Sequence, residues 1–181
     1  MTAWVFAYGS LLFRPDLPGS PAPRVAFVRD WQRRFDQGSP DHRGTPENLG
    51  RVATLVPAPG AMGLGAVFEI VGPDAEATLA MLDHRERGGY VRMEIEATLR
   101  DEPRRVVMAT TWIAPAGNPF ALGPTSRDAM VEQIARAVGP SGSNVDYVLR
   151  LAEALRGWNI ADDHVFDLER ALRDITGTMK T

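Results

Sequence analysis

From Tyr90 onward the chain alternates without a break: Val91, Met93, Ile95, Ala97 and Leu99 fall on one face, and Arg92, Glu94, Glu96, Thr98 and Arg100 on the other. A period of two is the pattern of a half-buried strand. Asp101-Glu102-Pro103 reads as a turn, so the next run, residues 105–113, returns beside the first as a hairpin. Four more strand-like runs come earlier, at residues 4–7, 25–35, 51–56 and 64–71. Strands therefore fill the first two-thirds of the chain, and its core must be built on a sheet.

Helical spacing takes over elsewhere. One helix is predicted between the fourth and fifth strands, from Pro73 to about Arg85: proline suits a first helical position, Leu79 and Leu82 give an apolar stripe, and Gly88-Gly89 stop it. After Pro124, Thr125-Ser126-Arg127-Asp128 resembles a capping box ahead of Met130, Ile134, Ala137 and Val138. Ser143-Asn144-Val145-Asp146 looks like a second cap before Val148, Leu151, Ala152 and Leu155, and a third amphipathic segment over residues 162–175 ends before Gly177. No repeat, linker or low-complexity tract divides the chain. The expectation is one α+β domain over residues 1–181, with a mostly antiparallel, barrel-like sheet and helices at its end. The seven methionines and Trp112 are expected in the core.

At 181 residues such a domain buries roughly 70% of its unfolded surface. Twenty basic against 23 acidic residues give a net charge of −3, which offers no general attraction to nucleic acid or an anionic membrane. Cysteine is absent, which excludes disulfides, thiolate metal sites and cysteine nucleophiles. Any chemistry must use oxygen and nitrogen groups. The first residues lack a basic segment followed by an apolar one, and no apolar run nears about 18 residues, so a soluble cytoplasmic protein is the expectation.

Glycine and functional side chains concentrate in four segments: residues 8–11, 37–47, 82–90 and 139–144. The first strand runs into Tyr8-Gly9-Ser10-Leu11. A glycine there permits φ > 0 and a close ligand, so N–H groups near Gly9 and Ser10 can point at an anion or a carbonyl oxygen. Read alone, such a motif is in most chains simply a turn. Glu86 falls at the C-terminal end of the predicted helix, where the dipole disfavours its charge. Enclosure by Tyr8 and Tyr90 would push its pKa further up, with Arg85 or Arg87 opposing. A raised carboxyl group is a better proton shuttle near neutrality, and the plain alternative is an exposed helix-end residue paired with an arginine. His42, His84 and His164 stand beside or near Asp41, Asp83 and Asp163, but in no HxH or HExxH spacing, so no metal is expected. Asp41-His42-Arg43 reads as a hydrogen-bonded loop that fixes its surroundings. Ser10 as a nucleophile with His42 as its base lacks the G-x-S-x-G elbow.

Together these segments resemble the ChaC family of glutathione-specific γ-glutamylcyclotransferases. The likeness covers nearly the whole chain: W-V-F leading into Y-G-S-L at Tyr8, R-R-F at Arg33, Q-G-S-x-D-H-R-G at Gln37, L-G-R at Leu49, L-D-x-R-E-x-G-G-Y ending at Tyr90, N-P-x-x-L-G-P at Asn118 and G-P-S-G-x-N-x-x-Y at Gly139. The resemblance implies a γ-glutamylcyclotransferase-like fold, a mixed, mostly antiparallel barrel-like sheet with surrounding helices. It implies glutathione, a small molecule, as the substrate, cleaved to 5-oxoproline and cysteinylglycine without a cofactor. It also implies that Tyr8, Gly9, Ser10 and Leu11 grip the γ-glutamyl group and that Glu86 is the general acid/base. The chain departs from the family at Asp36, where a tryptophan is usual, and at Ala7, where a glycine is common. Asp36 replaces an aromatic wall by a charge and so bears on affinity or substrate choice.

For the α-carboxylate of a γ-glutamyl group, Arg43, Gln37 and the Ser10 hydroxyl are the candidates by chemistry, Arg43 alone being able to bind bidentately. An Arg43–Asp41 salt bridge within the loop is the structural alternative. Tyr147, a further binding candidate, follows the second cap closely enough to face either core or cleft. Two other functions stay open: a cyclotransferase for another γ-glutamyl compound, prompted by Asp36, and a non-catalytic binding or regulatory domain of the same fold. Retention of Glu86 together with Tyr8 to Leu11 argues against the last, since a pure binder has no use for a proton shuttle.

Overall fold

The structure is a computed structural model that describes residues 2–17, 20–72 and 75–178. Five strands close into a barrel in the order β1-β3-β2-β4-β5, namely β1 Thr2–Ala7, β2 Arg24–Ser39, β3 Gly50–Val71, β4 Val91–Leu99 and β5 Val106–Ile113. Neighbours run antiparallel except β1 and β5, which meet in parallel where Val5 faces Thr110. The helices are α1 Ala75–Arg85, α2 Arg127–Arg136, α3 Asn144–Gly157 and α4 Asp163–Thr178, and a short ribbon of β6 Val138–Gly139 and β7 Gly142–Ser143 joins α2 to α3. This is the α+β barrel with helices that the strand runs predict.

Two expected strands prove to be one. Residues 51–56 and 64–71 both belong to β3, and the break between them is a bulge: Arg29 faces Met62 and Trp31 faces Pro57, so Asp30 alone opposes residues 58–61. Prolines in a sheet are tolerated at such irregularities, which is why Pro57 and Pro59 mark the place. Asp30 takes φ 63 there, and its carboxylate accepts the Gly60 N–H at 2.7 Å. In β4 the alternation is half realised: Ile95, Ala97 and Leu99 are buried, whereas Val91 and Met93 are exposed. The cause is that β4 pairs with β2 only through Leu99 and Thr98, so its first half has no strand covering that side.

The helix signals hold with local corrections. Ser126 and Ser143 cap α2 and α3, accepting from Ala129 N–H and Asp146 N–H. Met130, Ile134, Val148, Leu151 and Leu155 are buried as their spacing requires, but Val138 is exposed on the ribbon. Helix α4 runs through Gly177, a cost of roughly 1 kcal/mol that a helix tolerates. Pro73, expected at the start of α1, lies outside the described residues. Trp112 is buried, but the methionines do not form the core: Met130 is buried while Met62, Met81, Met93 and Met108 are exposed.

Two features of this frame place the site. Strand β1 delivers Tyr8 and Gly9 into a single 3-10 turn, Ser10–Leu12, against which α3 packs. Beneath it lies the buried Arg33 of β2, which donates from Nε to the Tyr8 carbonyl at 2.7 Å and from Nη2 to the Leu64 carbonyl, and pairs through Nη1 with Asp162. Asp162 also caps α4 by accepting the Val165 N–H at 3.0 Å. One guanidinium thus fixes the Tyr8 peptide, β3 and the start of α4 relative to one another.

Candidate active site

A cavity of about 190 Å³ opens where the four glycine-rich segments converge, with the Tyr8–Leu11 turn on one side and Arg85 to Gly88 on another. Arg43, Ser141 and Tyr147 complete its wall. The 3-10 turn's own hydrogen bonds begin with Leu12 N–H to the Gly9 carbonyl at 3.0 Å, so the N–H groups of Gly9, Ser10 and Leu11 precede that ladder, as at any helix start. Gly9 itself has φ −122 and ψ −130, which corrects the expectation of a positive φ. A Cβ on Gly9 would come within 3.4 Å of the Tyr147 hydroxyl, and its absence keeps that part of the wall open.

All three tyrosines of the chain stand in this wall. Tyr8 Oη donates to the Trp112 carbonyl at 2.5 Å and Tyr90 Oη to the Ala53 carbonyl at 2.6 Å, while Tyr147 Oη accepts the Ala53 N–H at 3.2 Å. Burial pushes the Tyr147 phenol up to about 12, with the Glu86 carboxylate pushing the same way. Tyr8 and Tyr90 are driven up by burial as well, Tyr8 next by Glu86 and Tyr90 next by the other two phenols. All three therefore stay neutral and line the cavity with fixed dipoles. The open question about Tyr147 is resolved in favour of the cleft, where its ring also meets Phe13 and Phe35 edge-on.

Glu86 sits one residue past α1, its N–H closing on the Leu82 carbonyl at 2.8 Å. Its side chain is 17% exposed, and Arg85 Nε lies 3.7 Å from Oε1. Burial raises its pKa above the ordinary carboxyl value; Arg85 and then His42 oppose the rise, and Asp41 adds to it. The expected arginine counterweight is thus Arg85, joined by His42. A carboxyl group raised in this way, beside neutral phenols and the N–H groups that precede the turn's own ladder, can take a proton from one substrate atom and return it to another.

The loop carrying Glu86 is held from behind. Gly88 and Gly89 have φ 75 and 98, and a Cβ on Gly89 would stand 2.3 Å from Asn118 Oδ1. Gln37 Nε2 donates to the Gly88 carbonyl at 2.7 Å and forms a reciprocal amide pair with Asn118. Gln37 is therefore corrected from a substrate-binding candidate to a support: its amide groups are engaged behind the wall and it does not line the cavity. Asp36 is absent from the wall too; its carboxylate lies on the Arg34 side, 4.0 Å from that guanidinium, so the charge does not replace a wall of this cavity. A register shift between Arg34 and Gln37 breaks the strand's alternation there.

Arg43 lines the cavity, but its partner is Asp146 at 3.0 Å, with the Ser143 carbonyl at 3.0 Å, and not Asp41. The guanidinium also lies over the Tyr147 ring. The Asp41-His42-Arg43 loop is hydrogen-bonded as expected: Arg43 N–H donates to Ser39 Oγ at 3.0 Å, Ser141 N–H to the His42 carbonyl at 2.9 Å, and His42 Nδ1 stands 3.1 Å from Ser141 Oγ. Tyr8, Gly9, Ser10, Leu11, Arg43, Glu86 and Tyr147 are brought together. Arg14 and Ala53 also line the cavity without having been singled out from the sequence; for Arg14 the signal was a cation just past the turn, and for Ala53 there was none, because only its backbone bonds to Tyr90 and Tyr147.

The chain matches the family model described as "ChaC-like protein" over residues 3–175. It is 38% identical over 173 residues to glutathione-specific gamma-glutamylcyclotransferase 1 of Danio rerio, covering 93% of this chain and 88% of that protein. With the Homo sapiens protein of the same name the identity is 37% over 180 residues, covering 97% and 79%. A crystal structure of the yeast gamma-glutamyl cyclotransferase specific to glutathione superposes with a TM-score of 0.88 at 28% identity, covering 96% of each chain.

Proposed function

Since the chain belongs to the ChaC-like family, we propose that it is a γ-glutamylcyclotransferase, acting as one domain, that converts glutathione to 5-oxoproline and cysteinylglycine. The observation that carries the assignment of roles is Glu86: a carboxyl group with a raised pKa, flanked by Arg85 and set in a wall of three neutral phenols.

The reaction is intramolecular, so tethering supplies much of the advantage. The α-amino nitrogen of the γ-glutamyl group attacks its own γ-carbonyl carbon, and a five-membered lactam forms as the amide C–N bond breaks. With a pKa of about 8 that amine is mostly protonated at neutrality, and an ammonium has no lone pair to attack with. Glu86 takes the proton. It then hands a proton to the departing nitrogen of cysteinylglycine, which cannot leave as an amide anion. It also relays to the released amine the second proton that the ring nitrogen sheds on becoming the lactam N–H, so that its carboxylate ends ionised. The carbonyl oxygen gathers negative charge in between, and the N–H groups of Gly9 to Leu11 are the donors this reading assigns to it. Each such donor is worth roughly 3 kcal/mol in the transition state. Arg43 and the Ser10 hydroxyl face the cavity as partners for the α-carboxylate, Arg43 while still anchored on Asp146.

The test is to offer glutathione, γ-glutamyl amino acids and γ-glutamyl amines in parallel and to measure 5-oxoproline. Glutathione is expected to give the highest kcat/KM. Equal or better turnover of another compound would reject glutathione as the preferred substrate, and no 5-oxoproline from any of them would reject the enzyme.

A further inference from the structure

One stretch of the cavity rim reaches beyond the chemistry above. Arg14 and Arg85 both line the cavity, and both donate to the same oxygen of Asp16: Arg14 Nε at 3.0 Å and Arg85 Nη1 at 3.0 Å. Asp16 holds this position with φ 47, a conformation that a non-glycine residue adopts only when its surroundings favour it. One carboxylate thus holds two guanidinium groups at the rim, and Arg85 is balanced in addition by Glu86, so the charge least engaged there is that of Arg14. From there the wall leads inward without a gap: Arg85 Nη2 stands 3.5 Å from Ser10 Oγ, and Arg85 Nε 3.7 Å from Glu86 Oε1. Arg14 is thus three contacts from the proton-transferring carboxyl group. Its side chain is 64% exposed, and an ion pair that exposed adds little stability.

The substrate proposed above carries a charge to match. Beyond the scissile amide, cysteinylglycine extends two residues, about 7 Å in an extended chain, and ends in a carboxylate. Neither Glu86 nor the 3-10 turn can neutralise it. We propose that Arg14 and Arg85, oriented in advance by Asp16, form a subsite for the distal carboxylate of a γ-glutamyl tripeptide, an inference that rests on the cyclotransferase reading. A guanidinium fork suits a carboxylate geometrically. Holding both arginines on one aspartate reduces the side-chain freedom lost when substrate binds. The subsite selects for chain length and terminal charge, because a γ-glutamyl amine presents no carboxylate to it.

Glutathione and its glycinamide, identical but for a terminal carboxamide, separate the two readings. kcat/KM for 5-oxoproline release is measured for both with the natural chain and with Arg14→Ala, whose exposed position leaves the fold intact. The natural chain should prefer the acid by roughly tenfold or more, the scale of a charge-assisted hydrogen bond. Arg14→Ala should bring that preference to within a few-fold of unity. Equal turnover of acid and amide by the natural chain, or an undiminished preference in Arg14→Ala, overturns the subsite while leaving the cyclotransferase standing. No 5-oxoproline from either compound overturns both.

Discussion

Replacing Gly89 by alanine tests how the acid/base loop is held. Alanine at a positive φ costs roughly 1–2 kcal/mol in backbone strain, and Gly89 has φ 98. The new Cβ would also stand 2.3 Å from Asn118 Oδ1 and 2.9 Å from Gln37 Nε2. Neither atom can withdraw freely, since Asn118 exchanges hydrogen bonds with Gln37 and also binds Phe120 N–H and the Pro115 carbonyl. Overpacking of this kind adds roughly 1–3 kcal/mol. Gly60 supplies the control: its φ is 82, but nothing lies within 4 Å of a Cβ there. The packing part is then about 2 kcal/mol, which for a chain of this length lowers Tm by about 4–8 °C beyond the Gly60→Ala value. Glu86 rides on the displaced loop, and a misplacement of about 1 Å costs on the order of a hundredfold in rate. Thermal melts and 5-oxoproline release on both variants read the two effects. Equal Tm values together with full turnover in Gly89→Ala would refute the claim that Gln37 and Asn118 position Glu86.

Three further outcomes follow from the same geometry. Arg33→Met, by stranding the mostly buried Asp162, should lose about 3–5 kcal/mol in denaturant unfolding; adding Asp162→Asn should restore part of it, because asparagine still caps α4 without a charge, and no recovery would contradict the ion-pair account. Ser10→Ala removes a positioning hydroxyl and not a nucleophile, so kcat/KM should fall by roughly ten- to a hundredfold, the worth of one hydrogen bond to a charged group, and complete loss would restore Ser10 as a nucleophile. Glu86 must be ionised to accept a proton, so kcat/KM should rise with pH through its raised pKa, on a limb above the ordinary carboxyl range. The linked stability has the opposite sign: a folded-state pKa above the unfolded one favours the fold below the unfolded pKa, and that contribution is lost as pH rises through the folded value. Glu86→Gln should therefore melt no lower than the natural chain at neutral pH, and a large drop in Tm would contradict the raised pKa.

Much of this site was legible because it depends on local chemistry. Glu86 follows a helix and precedes two glycines, so its place at a helix C-terminus could be read from residues 82–90, whereas the burial that chiefly raises its pKa depends on the distant Tyr8 turn. The two cap signals, read from local spacing, placed α2 and α3 in the same way, although the cap of α2 is Ser126, one residue beyond the Thr125 of the box. What could not be read depends on strand register. Alternation assigns sides only while pairing is regular, and the shift between Arg34 and Gln37 removed that guide where it mattered: Gln37 turned out to be a support and Asp36 to face away. The bulge at Pro57 to Gly60 made one strand look like two. The Arg43–Asp146 pair joins residues 103 positions apart, and nothing in the loop sequence favoured it over Asp41. Arg14 lies in a segment without regular secondary structure, and its link to Arg85 appears only through Asp16, whose carboxylate the two arginines share.

The central claim, that Glu86 moves the protons of an intramolecular cyclisation, is tested most directly by the rate of 5-oxoproline release from glutathione in Glu86→Gln. Glutamine keeps the shape of the side chain but cannot accept and return a proton. A fall of roughly 10²–10⁴ in kcat, the range of general acid–base catalysis, with the melting curve preserved, is the predicted result. Turnover within a few-fold of the natural chain would contradict it.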